Sequence, residues 1–325
     1  MFFVKAYLLV INNKKVMKIK VDIKKIGVSL LTLGCFTTMQ AQQDPQFTQY
    51  MYNTSNINPG YSGTRGVLNV FGMYRAQWVG LDGSPQTANI SIDTPLGKNG
   101  LSGGINYTND RIGAMSENNF SVNLAYAVDL NDQYKLSFGL KATANLLNFD
   151  KDKLDIYDPS DVSFVDVNNK FSPNIGAGLY LYSEKSYLGM SVPNFMTTDR
   201  TENEGQKLMR QKMNFYLMGG YVFELNPSLK FKPAFLAKSV SGAPMQVDLT
   251  ANFLIIDKFT LGASYRWDAS VSALAGFQIN EGLFIGYSYD ADTTKLARYN
   301  SGSHEVFLRF DIFNKYNRVT TARFF

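Results

Sequence analysis

Histidine, the side chain most often used for acid–base chemistry near neutral pH, occurs once in this 325-residue chain, as His304 between Ser303 and Glu305. Neighbours on a strand point to opposite faces, so this triplet does not converge as a catalytic triad. A hydrogen-bonding role at the start of the last strand is expected instead. The one cysteine, Cys35, lies close to the start of the chain, which leaves no thiol further on for a disulfide, a zinc cage or a nucleophile. Carboxylates gather at Asp150, Asp152, Asp155, Asp158 and Asp161, beside Lys151 and Lys153. Such spacing suits a hard cation such as calcium, but the segment lacks the glycine and closing glutamate of an EF-hand loop, and a solvated loop is expected. Asp290 and Asp292 form a weaker pair, and no two acids are marked out for glycoside cleavage. The residues therefore predict no catalytic group, no metal and no cofactor.

The formal charge of +5 is unevenly placed: residues 1–41 hold seven lysines and one acid, whereas the other 284 residues carry 25 basic and 26 acidic groups. Nucleic-acid binding loses its electrostatic support. The leading segment reads instead as an export signal. From Met17 a lysine-rich start precedes an apolar run over 26–36, and small and polar residues follow. Eleven residues are too few to cross a bilayer as a helix, so cleavage after Ala41 is expected, with Met17 as the true start. The sequence Thr32-Leu33-Gly34-Cys35 resembles a lipidation site, but Thr32 fits it poorly.

Beyond residue 65 the dominant signal has period two. Phe120, Val122, Leu124, Tyr126 and Val128 alternate with Ser121, Asn123, Ala125, Ala127 and Asp129, and a similar pattern recurs almost to the end. About fourteen strands follow, most of them 9 to 11 residues long, enough to cross a bilayer when tilted. Their connections alternate in length. Short turns at 97–100, 130–133, 183–186, 225–228, 257–258 and 280–282 are interleaved with longer links at 109–117, 149–171, 194–210 and 291–302. This is the pattern of an all-β, transmembrane, antiparallel up-and-down barrel with both termini periplasmic. A soluble sandwich would carry more charge on its second face, which here is mostly Asn, Ser, Thr, Gly and Ala. Aromatic residues near strand ends, among them Tyr74 and Trp78, Tyr180 and Tyr182, Tyr265 and Trp267, and Tyr287 and Tyr289, suit the interfacial girdles of such a barrel.

The expected organisation is a signal peptide over 1–41, a periplasmic or luminal segment over 42–64, the barrel over 65–313 and a periplasmic tail over 314–325. Arg75, Asp93, Lys141, Glu224, Asp248, Arg266 and Arg309 fall on inward faces. They would either grip a passing polypeptide or stiffen the barrel by pairing internally, and pairing is the simpler reading. Phe47, Tyr50, Tyr52 and Tyr61 are costly to leave in water, so the segment bearing them is a candidate plug for the lumen.

The stretch Gln43-Asp44-Pro45-Gln46-Phe47-Thr48-Gln49-Tyr50-Met51-Tyr52-Asn53, then Ile57-Asn58-Pro59-Gly60-Tyr61, closely resembles the opening of the PorP/SprF family. Tyr74-Arg75-Ala76-Gln77-Trp78, Val192-Pro193-Asn194-Phe195, Gly286-Tyr287-Ser288-Tyr289-Asp290, Ser301-Gly302-Ser303-His304-Glu305 and the terminal Arg323-Phe324-Phe325 extend the resemblance along the mature chain. It implies a non-enzymatic outer-membrane component of the Bacteroidetes type IX secretion and gliding system. Its implied partners are an adhesin-type cargo with a C-terminal sorting domain, other secretion components and outer-membrane lipid. A porin or small-solute transporter is the alternative.

Overall fold

A computed structural model describes residues 7–8, 19–20, 46–154, 166–199 and 210–312. The chain divides into two units. In the first, 1–42 with 242–244, the described strands are one antiparallel pair, Tyr7–Leu8 with Ile19–Lys20. The leader expected there falls almost wholly outside the described residues, as do most of the 150–161 acids and the 314–325 tail.

The second unit is the barrel. Its strands are β1 (Leu68–Ala76), β2 (Gln86–Pro95), β3 (Leu101–Ile112), β4 (Met115–Asp129), β5 (Lys135–Phe149), β6 (Val167–Tyr182) and β7 (Ser186–Val192). There follow β8 (Asn214–Tyr221 and, past a break at Val222, Phe223–Asn226), β9 (Leu229–Val240), β10 (Gln246–Ile255), β11 (Phe259–Arg266), β12 (Ser270–Gln278), β13 (Leu283–Asp292) and β14 (Ser303–Ile312). Each strand pairs antiparallel with the next, and β14 returns to pair with β1 from Ile312 opposite Leu68 to His304 opposite Ala76. Closure leaves no unpaired sheet edge, which a bilayer would not tolerate.

Alternation assigns the two faces. On β10, Asp248, Thr250 and Asn252 are buried within, while Leu249 and Phe253 are exposed without. On β14, Ser303, Glu305, Phe307, Arg309 and Asp311 point in, and Val306, Leu308 and Phe310 point out. Ile105, Val122, Leu140 and Ile175 carry the same outward apolar band across β3 to β6. A closed wall with an oily exterior and a polar interior is a membrane barrel.

Two features of the sequence reading need correction. The expected long link at 109–117 is a two-residue hairpin at Gly113 and Ala114, because Asp110 is an inward strand residue that accepts from the Thr87 hydroxyl at 2.6 Å. Gly113 supplies the positive φ that the tight turn needs. Tyr180 belongs to no girdle: it is fully buried, facing inward against Tyr61 and Tyr187. Tyr74, Tyr265, Trp267, Tyr287 and Tyr289 do face outward.

Candidate functional site

The lumen is occupied by the chain itself. Residues 46–65, a strap preceding β1, form three short turns, Tyr50–Tyr52, Thr54–Ile57 and Pro59–Tyr61, and nearly every side chain in them is buried. No turn is long enough to be stable alone in water, so contacts with the wall must hold them. Phe47, Tyr50, Tyr52 and Tyr61 all lie in this buried core, together with Phe71, Phe284 and Phe307. The Tyr52 ring stacks on Phe284 at 5.3 Å and lies 4.6 Å from Phe307.

Three charged clasps bind the strap. In the first, Arg75 on β1 pairs with Asp290 at 2.6 Å and with Glu305 at 3.0 Å. The Glu305 carboxylate accepts from the backbone N–H groups of Thr48 and Gln49, at 3.0 and 2.9 Å. The Thr48 hydroxyl donates to Asp290 at 2.6 Å and accepts from Arg75 at 2.9 Å. In the second, Arg266 forks onto Asp248 at 3.0 Å and donates to the Gln46 side-chain oxygen and the Phe47 carbonyl, at 3.1 and 3.2 Å. In the third, Arg65 grips Asp311 through two bonds of 2.9 and 2.6 Å. Buried charges survive only where paired and hydrogen-bonded, and each clasp meets that condition.

Between the clasps the strap is held by single hydrogen bonds. Asn53 donates to Asn89, and Lys141 donates to the Asn56 carbonyl at 2.8 Å. Asn58 holds the strap both to itself and to the wall. Its side-chain oxygen caps the turn by accepting from Gly60 N–H at 2.9 Å, while its amide donates to the Leu179 carbonyl at 3.0 Å. The Asn58-Pro59-Gly60 turn sits on Gly139 and Gly178, which face each other across β5 and β6. A methyl group on Gly139 would come within 2.2 Å of the Gly60 nitrogen, and one on Gly178 within 2.1 Å of the Asn58 oxygen. Glycine is the only residue that fits there.

Of the inward charges expected from sequence, Arg75, Lys141 and Arg266 contact the strap directly, and Asp248 supports it through Arg266. Asp93 accepts from Gly63 N–H at 2.9 Å, and the Arg309 guanidinium lies 5.0 Å over Phe284 and 5.7 Å over Tyr52. Glu224 is not among them. It is half exposed at the rim and pairs with Lys185 at 3.3 Å, because β8 breaks at Val222 and ends at the short turn 227–228. Sequence reasoning missed Glu305, Asp290 and Asp311 as clasp partners, although Glu305 and Asp311 share the parity of Arg309. His304 faces outward and bonds the Tyr287 hydroxyl at 2.6 Å. A cavity of about 70 Å³ remains beside the strap, lined by Phe47, Ile57, Lys141, Asn194 and Tyr216 among others. Among the described residues no acid, histidine or cysteine cluster could hold a metal.

No curated protein matches the chain. Among solved structures, it is similar to the outer membrane protein Omp33 of Acinetobacter baumannii, at 9% identity and a TM-score of 0.44, over 76% of this chain and 100% of that one. It is also similar to the toluene transporter TbuX of Ralstonia pickettii, at 10% identity and a TM-score of 0.48, over 80% and 93% of the two chains. The monoaromatic hydrocarbon channel CymD shows 12% identity and a TM-score of 0.47, over 81% and 94%. Residues 39–310, which include the strap and almost the whole wall, match the family model for the type IX secretion system membrane protein PorP/SprF, and the chain belongs to that family.

Proposed function

We propose that this barrel is a non-enzymatic outer-membrane component of type IX secretion that assists the export or surface attachment of a large adhesin-like cargo bearing a C-terminal sorting domain. The leader is removed after Ala41, the long links face the outside, and the tight turns face the periplasm and the other secretion components. The cargo is met at the mouth that carries the long links.

The observation supporting this reading over a solute channel is the strap. Arg75, Lys141 and Arg266, the charges a channel would turn toward its solute, are engaged by residues 46–56 of the same chain. Deleting the gene should remove one large adhesin from the cell surface while leaving the periplasmic pool of that adhesin intact or enlarged. Liposomes carrying the purified barrel should show no swelling in small sugars. Rapid solute flux with normal adhesin display would favour the channel.

A further inference from the structure

Contacts along the strap run in one direction through the barrel. Gln46 meets Gln246 and Arg266, at the ends of β10 and β11 that border the links 241–245 and 267–269. Thr48 meets Asp290 and Glu305, two residues inside the ends of β13 and β14 that border the link 293–302. Ser55 and Asn56 meet Asn106, Asn123 and Lys141, well inside β3, β4 and β5. Asn58 and Gly60 rest on Gly178 and Gly139, four residues from the turns at the other mouth. Arg65 meets Asp311, one residue from the end of β14 at that mouth.

A barrel with an even number of strands starts and ends at one rim, and Leu68 and Ile312 do lie together at the mouth of the tight turns. The strap reverses this for the amino end. We infer that the mature amino end is displayed at the mouth of the long links, carried there through the chain's own lumen. The expectation that both termini share the tight-turn side then fails for the amino end.

Length excludes a return. With cleavage after Ala41, only four residues precede Gln46. Fully extended they reach about 14 Å, against a membrane band about 25 Å tall. The path back is also filled by the strap. That the long-link mouth is the cell surface rests on the proposed orientation; that the amino end lies at that mouth does not.

The test uses one short hydrophilic epitope in three variants of the full chain: between Gln42 and Gln43, in the 293–302 link after Ala297, and in the 130–134 turn after Asp132. Each is probed with antibody on intact and on permeabilised cells, and heat-dependent gel migration confirms a folded barrel. The epitope before Gln43 should become accessible together with that at Ala297. If it follows the one at Asp132, or is hidden from both sides, the inference is overturned. If Asp132 proves external and Ala297 internal, the orientation fails but the amino end must still follow Ala297. Should the amino-end epitope prevent folding, a Gln43→Cys variant with a membrane-impermeant maleimide gives the same reading, because the only native cysteine, Cys35, leaves with the leader.

Discussion

Arg75 and Glu305 are direct cross-strand partners at the seam where the first and last strands meet, 230 residues apart in sequence and 3.0 Å apart in space. Both are buried, and the carboxylate also takes the N–H groups of Thr48 and Gln49. The pair thus joins three parts of the chain: β1, β14 and the strap.

Glu305→Gln keeps the shape but removes the charge that Arg75 and the two N–H groups require. Breaking a buried pair from one side costs about 3–5 kcal/mol. The urea midpoint of the barrel in lipid should fall accordingly, and adding Arg75→Met should cost less than the two single losses combined. Additive losses would show that the pair is not coupled.

Gly139→Ala should lift the Asn58-Pro59-Gly60 turn off the wall, since the added methyl meets backbone that cannot give way. Overpacking of this kind costs about 1–3 kcal/mol, and proteinase K should then cut within 46–65 in the folded barrel. Gly72→Ala, where the new methyl meets nothing within 4 Å, serves as the control and should behave as wild type.

On the oily face, Val122→Arg sets a charge where the wild-type side chain is 59% exposed. The expected cost is about 2–4 kcal/mol if the site lies near the bilayer midplane, read from unfolding in lipid vesicles. An equal midpoint would mean that this face does not meet hydrocarbon.

Removing residues 43–64 should leave a wet, charged lumen. In planar bilayers the shortened barrel should conduct ions in discrete steps, while the intact chain stays close to silent. Equal conductance in the two would show that the strap does not obstruct the path.

The wall was legible because a lumen-facing residue and a lipid-facing residue differ in polarity at every second position. The same rule explains only part of the miss at 109–117: Asn109, Asp110 and Arg111 read as loop, yet Asp110 is a buried lumen-facing strand residue, while Asn109 and Arg111 lie on the other face at the strand's end and break the apolar alternation there. Glu224 failed for the opposite reason, having inward parity but lying beyond the point where the wall encloses anything. The aromatic residues at 47–61 marked the strap as something to be buried, but its seat was illegible. Gly139 and Gly178 become one platform only when β5 and β6 are in register, and Glu305 finds Arg75 only when the ring is closed.

The seam has a consequence for assembly. Because the residues that fasten the amino segment are contributed by both ribbons meeting there, a ring zipped around empty space would trap an acid and a guanidinium without the amides that complete them. Enclosure and closure are therefore coupled: sealing the ring around the segment completes the acid's set of donors, whereas sealing it without the segment leaves those positions to water.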